Sequence, residues 1–287
     1  MGLIASAQEE EDDLLSSLDS ISPPSKEIAF ATFKGTRLIN GHTIQIPAQG
    51  EMAFLISHRF GNIRDGAYTF FGLDQASVRL GLEYSPIDRL CVGIGRSVYQ
   101  KSVDGFLKYQ LLQQSKGGKL TMPVSVTLLS GIAVNGLKWA EPNRENYFTS
   151  RLTYTHQILI ARKMNADLSF QLMPTLIHYN LVAKVAESND VYALGIGGRY
   201  KLTRRLSVNA EVYPVLNHTE MPAINGLKPA TCVAVGVDIE TGGHVFQLHV
   251  TNAQAMIEKG FISESTGSFF EGNLYFGFNV SRTFNLH

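Results

Sequence analysis

Nine charged residues stand at alternate positions of otherwise apolar segments, and what they can do depends on what that spacing means. Arg59, Arg79, Lys108, Arg151, Arg199 and Lys201 are the bases; Glu83, Glu211 and Asp238 are the acids. Where side chains alternate with a two-residue period, every second one shares a face. Arg79 and Glu83 then oppose Leu80 and Leu82, Lys108 opposes Leu107 and Tyr109, and Arg199 and Lys201 oppose Ile196 and Tyr200. Turned inward in a closed sheet, such a set has two uses. It ties the wall together through ion pairs, or it lines a polar, mildly cationic constriction for small anionic solutes. A shorter cluster, Lys34, Arg37 and His42, precedes these segments. The eight histidines show neither an HExxH pattern nor close ligand spacing. No metal site, cofactor or catalytic residue is expected.

The elements that would present these residues are strands. From Glu51 onward, alternating segments fall near 51–61, 75–84, 89–99, 103–114, 119–131, 147–162, 165–179, 189–202, 204–213, 230–240, 244–252 and 272–286. They are joined alternately by tight turns and by long polar connections. The turns are Ser85–Asp88, Ser115–Gly118, Lys163–Ala166, Thr203–Arg204 and Thr241–Gly243; the long connections lie near 61–75, 131–147, 180–190, 214–229 and 251–272. Short turns on one rim and long loops on the other are the signature of an antiparallel barrel crossing a membrane. The short 99–103 connection, on the long-loop side, is the weak point of this register. A soluble sandwich also alternates, but it has no reason to gather its long loops at one end. The expected fold is all-β: one closed transmembrane barrel of about twelve strands, with periplasmic turns, extracellular loops and both termini in the periplasm. Phe60, Tyr84, Tyr147, Phe148, Tyr200 and Phe284 lie near strand ends, where a membrane girdle places aromatics. The polar face is rich in glycine, as a crowded lumen requires. No apolar run reaches the length of a spanning helix. Zero formal charge gives no electrostatic support for nucleic-acid binding. Cys91 and Cys232 are expected as free, packed residues.

Ahead of the barrel, 1–7 ends in Ala5-Ser6-Ala7 and reads as the remnant of an export signal, with Gln8 as the mature start. Residues 8–27 form an acidic arm ending at Pro23-Pro24, expected to be disordered. It is either a solvated tail or a contact for envelope-complex subunits. Residues 28–50 are rich in β-formers, yet a thirteenth strand would break the even count. They either plug the barrel or cross its periplasmic mouth, or they form a periplasmic hairpin from Leu38 to Ile46 around Asn40-Gly41. Residues 51–287 are the barrel. Trp139, Tyr68, Phe70, Phe71 and the 253–270 stretch are expected to pack as an outer lid, with a short helical turn over Ala253–Lys259.

The strings Ala31-Thr32-Phe33-Lys34-Gly35-Thr36-Arg37-Leu38-Ile39-Asn40-Gly41-His42, Ile56-Ser57-His58-Arg59-Phe60-Gly61, Phe71-Gly72-Leu73-Asp74, Gly93-Ile94-Gly95-Arg96 and Asp104-Gly105-Phe106-Leu107-Lys108-Tyr109 resemble an uncharacterised family of outer-membrane β-barrels of Bacteroidetes-type bacteria. The last segment, Leu274–Phe284, is similar to the terminal strand by which barrel-assembly machinery recognises its substrates. The family resemblance implies fold and bacterial outer-membrane location, and carries no activity. The leading expectation is a non-enzymatic, narrow channel or passive transporter for small polar solutes, surrounded by outer-membrane lipid. The alternatives are a closed barrel serving as scaffold of an envelope complex, or a lipid-modifying enzyme. For the last, His156 faces lipid and resembles the outward catalytic histidine of outer-membrane phospholipases. The adjoining strand, however, offers Leu168, Phe170 and Leu172 where a serine is needed.

Overall fold

The computed structural model describes residues 26–117, 121–221 and 226–286. The expected signal remnant and nearly all of the expected acidic arm lie outside them. Twelve strands close into one antiparallel barrel: β1 (Glu51–Asn62), β2 (Ala76–Ile87), β3 (Leu90–Ser97), β4 (Val103–Leu112), β5 (Ser125–Val134), β6 (Leu152–Lys163), β7 (Leu168–Tyr179), β8 (Asp190–Lys201), β9 (Leu206–Tyr213), β10 (Cys232–Thr241), β11 (His244–Thr251) and β12 (Tyr275–Asn285). Each strand pairs with its neighbours in sequence. The last pairs with the first, from Tyr275 opposite Asn62 to Asn285 opposite Glu51. That final pairing removes the open edge that an unclosed sheet would offer for aggregation.

The two-residue period explains why this sheet needs lipid. Outward side chains such as Leu80, Leu82, Ile94, Leu107, Leu128, Ile158, Phe170, Leu172, Ile196, Val235 and Leu248 are all at least 40% exposed. Together they form an apolar belt around the cylinder, far beyond the patch a soluble monomer leaves bare. Inward positions carry the polar set. Backbone groups satisfied entirely between strands, with no free edge, are what the hydrocarbon layer demands.

The tight turns follow from local chemistry. Thr241 and His244 face each other across Gly242-Gly243, and both glycines hold positive φ (34° and 114°). That is the left-handed pair a two-residue hairpin needs, and side chains resist it. One turn is wider than expected. The reversal expected at Ser115–Gly118 falls between Ser115 and Met122, which exchange backbone hydrogen bonds at 2.9 and 3.2 Å; Ser115 and Lys116 also pair with Ile28 and Glu27, and the barrel resumes at Ser125. The strand expected from 147 begins at Leu152, because 148–151 closes as a 3-10 turn. The short 99–103 connection is also real: a 3-10 turn at Tyr99–Lys101 makes the reversal.

The aromatics divide by position. Phe60 lies at the extracellular end of β1 and stacks on Phe276 at 5.9 Å between ring centres. Tyr84, Tyr200 and Phe284 lie outward at the periplasmic ends of β2, β8 and β12. Tyr147 and Phe148 differ: they belong to the loop before β6 and are 62% and 64% exposed. Tyr68, Phe70 and Phe71 likewise stay exposed, so that loop takes no part in the expected lid, whereas most of the 253–265 stretch is buried.

Candidate functional site

The interior is filled from both ends. From the periplasmic side, residues 29–47 run into the lumen and fold back on themselves. Leu38 N donates to Gly41 O at 2.8 Å and Thr43 N to Thr36 O at 3.0 Å, while Arg37 bridges His42. The two sequence readings of this segment thus combine, since it is a tight hairpin-like turn placed inside the barrel. From the outer side, the 252–265 loop enters the mouth and forms helix α1 (Glu258–Ser263), later in sequence than expected. Phe33, Leu38 and Ile44 of the plug join Phe261 and Ile262 of the loop in one buried apolar cluster. The wall side of that cluster is Leu159, Met173, Ile177, Val191 and Tyr213 on β6 to β9.

Backbone that is neither helix nor strand must find other partners inside a barrel. The strands supply them as side chains. Glu211 accepts from the amides of Asn40 (2.7 Å) and Gly41 (3.3 Å). Gln171 accepts from Ile44 N (2.9 Å) and donates to His42 O (2.7 Å). Asn279 donates to Ile39 O at 3.0 Å, Gln247 to Leu38 O at 2.5 Å, and Lys108 to Gln45 O at 2.6 Å. Arg59 Nη2 donates to Asn40 Oδ1 at 2.8 Å. Strands β1, β4, β7, β9, β11 and β12 therefore all hold the plug. The inward glycines make room for it: a Cβ on Gly197 would lie 2.2 Å from Leu38 Cδ2.

Seven of the nine sequence-selected charges, Arg59, Arg79, Glu83, Lys108, Arg199, Glu211 and Asp238, are buried inside. Arg79 pairs with Asp104, Nε donating to Oδ1 at 3.0 Å and Nη2 to Oδ2. Arg199 donates to the carbonyls of Ala31 (3.2 Å) and Thr32 (3.4 Å), and Asp238 accepts from Gln247 at 2.6 Å. Two assignments are corrected. Arg151 closes the turn before β6 at the outer mouth, donating to Asn135 O at 2.8 Å and Leu137 O at 2.5 Å. Lys201 is at the periplasmic end of β8, 2.9 Å from Asp167. Neither lines a constriction, because each lies at the rim where its strand ends.

The plug residues lie apart from one another. Lys34 pairs with Glu240 at the periplasmic rim. Arg37 reaches the middle, where Nη1 donates to Glu258 Oε1 at 3.1 Å and Nε is 3.7 Å from Glu83 Oε1. His42 Nε2 lies 3.4 Å from the same Glu258 oxygen, and its ring meets Phe106 edge-on at 4.5 Å. Glu258 is thus where plug and outer loop touch. Glu83 has no hydrogen-bond partner among the described residues and keeps only the long contact with Arg37. With plug and loop included, Arg37, Arg59, Arg79, Lys108, Arg199 and Lys259 face Glu83, Asp104, Glu211, Asp238, Glu258 and Glu264, so the expected cationic excess is gone. Asp104 was legible, because it shares the face of Lys108. Glu258 carried no periodic signal.

Burial holds the His42 imidazole well below the ordinary 6.5, with Arg37, Lys108 and Arg79 adding repulsion. Docked, it stays neutral, whereas released it takes a proton near 6.5. Stability of the docked plug is therefore full above that pH and declines as pH falls below it, since the released state binds more protons. Proteolysis within 31–47 should accelerate on acidification, and His42→Gln should flatten that dependence.

On the lipid face, His156 is not alone as the sequence suggested. Ser130, on the neighbouring strand β5, places Oγ 3.1 Å from His156 Nδ1. The cross-strand neighbour on the other side is Leu176, so no polar group orients the ring from there.

The model of a family described as "Membrane bound beta barrel domain (DUF5777)" matches residues 33–284. The chain belongs to this family. The match takes in the plug from Phe33 onward as well as all twelve strands, and it places the protein, with its fold, in the outer membrane. Comparison with curated proteins finds no match. Among solved structures, the NanC porin superposes with TM-score 0.51 at 11% identity, covering 82% of this chain and 100% of that one. An outer-membrane channel from Pseudomonas putida F1 superposes with TM-score 0.50 at 13% identity, covering 85% and 98%. At such identity the likeness is one of fold.

Proposed function

We propose that this barrel is a non-enzymatic, gated narrow channel for small polar solutes, and that its structure is the closed state. The observation that carries the reading is the meeting of plug and outer loop at Glu258. Two segments of the chain, each entering from a different rim, shut the lumen through one shared carboxylate. A barrel serving only as scaffold gains nothing from a closure built of polar, hydrogen-bonded parts; side chains alone fill an eight-stranded barrel, and twelve strands leave more room. The passage runs along the charged wall of β2 to β4, past Arg79, Asp104, Lys108 and Glu83, since the wall of β6 to β9 is sealed by the apolar cluster. Small polar solutes and their water cross such a wall by exchanging hydrogen bonds, not by opening an apolar core.

Planar-bilayer recordings of the purified protein test this. Wild type should show rare or small openings. Glu258→Ala, which leaves Arg37 only its longer contact with Glu83, should raise open probability about tenfold, equivalent to roughly 1.4 kcal/mol. Silence in both would remove the channel reading. The Ser130–His156 pair favours a lipid-modifying alternative only in part. Nucleophilic catalysis needs a base whose ring is oriented by a third group, and the pair's simpler role is mutual hydrogen bonding of two polar groups in lipid.

A further inference from the structure

The outer mouth holds a cavity of about 360 Å³ between the loop after β5, the start of β6, the end of β7 and α1. That volume lies within the range of small-molecule sites, about 300–1,000 Å³. Its floor is rigid. Lys259 is 4% exposed, donating to Glu264 Oε1 at 3.1 Å and Gln100 Oε1 at 2.7 Å, and Tyr179 Oη meets Ser263 Oγ at 2.6 Å. Its wall carries a fixed cation. The Arg151 guanidinium lies 3.6 Å above the Trp139 ring and spends Nη1 on two carbonyls, leaving Nε and Nη2 without hydrogen bonds among the described residues. Lys138 beside it has no ion-pair partner among the described residues. With Lys259 neutralised by Glu264, the lining keeps two uncompensated positive charges.

We propose that this vestibule binds a small organic anion, with a carboxylate held by Lys138 and Arg151 and a compact carbon body against Leu181 and Val182. A guanidinium presents its donors in a planar fork that matches a carboxylate. A neutral sugar lacks its usual platform, because the Trp139 face that would stack it is covered by Arg151. A cation is repelled by both free charges. The inference deepens the channel reading, since it names the solute class that would enter, but the binding step can be measured without conductance. The occupant would also sit one residue from Glu258, where plug and loop meet.

Trp139 is the only tryptophan of the chain, so its emission reports this site alone. The full chain in detergent should be titrated at constant ionic strength with glucuronate, glucose, glucosamine and inorganic phosphate. Glucuronate should give a saturable emission change, glucose and glucosamine none, and phosphate a weaker one because it cannot use the apolar wall. Lys138 is exposed, so Lys138→Met leaves the fold alone and should weaken glucuronate about fivefold, the loss of one charge-assisted contact. No saturable change, an equal response to glucose or phosphate, or an unaltered Lys138→Met titration would overturn the proposal. Binding in a protein that never conducts would support this site and remove the channel reading; conductance without binding would do the reverse.

Discussion

Deleting residues 28–47 is expected to convert a nearly silent barrel into a steadily conducting one, with current at least about tenfold above wild type in planar bilayers. The size of the effect follows from geometry: eight strands close on their own side chains and sixteen leave a water-filled pore, so twelve strands without a plug stand between. The deletion removes Leu38, Ile44 and Phe33 from the apolar cluster and Arg37 from Glu258, which leaves only the outer loop in the way. Strand pairing does not depend on the plug, since every barrel strand is bonded to two others. Heat-modifiable migration on gels checks that the barrel remains closed. A properly folded deletion variant that stays silent would count against transport and in favour of a scaffold.

The second large effect is expected from one methyl group. A Cβ on Gly41 would lie 1.7 Å from Tyr213 Oη and 2.9 Å from its Cζ. Tyr213 cannot retreat, because its hydroxyl donates to Met173 Sδ at 3.0 Å and its ring packs edge-on against Phe261 at 5.1 Å. Gly41→Ala must therefore lift the 38–41 turn off the wall and strip Glu211 of its two amide donors. The overpacking and the orphaned carboxylate together cost about 2–5 kcal/mol. Cleavage by added protease within 31–47 should appear in this variant, and conductance should rise toward that of the deletion. Gly35→Ala is the control, since nothing lies nearer than 3.9 Å to the added carbon. Equal protease resistance of Gly41→Ala and wild type would contradict the placement of the turn.

Much of this architecture was legible because a barrel writes its period into every strand. Arg79 and Glu83 lie inward for the same reason that Leu80 and Leu82 lie outward, and seven of nine charges followed that rule. Arg151 and Lys201 broke it because parity says nothing about where a strand stops: each stands at a rim, where the chain leaves the sheet and takes up local partners. The turn-forming residues from Ser115 onward do mark a reversal, which closes at Met122, but nothing local shows that Ser115 and Lys116 also serve as a short pairing edge for Glu27 and Ile28. Nor did the period disclose the contents of the lumen. Residues 29–47 and 252–265 fold against side chains drawn from strands far apart in sequence, and nothing local in Glu258 signals that it will meet Arg37. Ser130 lies opposite His156 only through the register of β5 on β6, which the period of neither strand discloses. The outer cavity was invisible for the same reason as the plug: Lys138, Arg151 and Lys259 come together only once the barrel closes.

A closed channel requires the plug to be docked inside the lumen, and amide hydrogen exchange of the unmodified protein in detergent measures that most directly. The amides of Leu38, Asn40, Gly41, Thr43 and Ile44 all donate inside the barrel. They should exchange as slowly as those of the strands around them. Exchange of residues 38–44 at the rate of an open loop would show that the segment does not occupy the lumen, and the closed-channel account would fall with it.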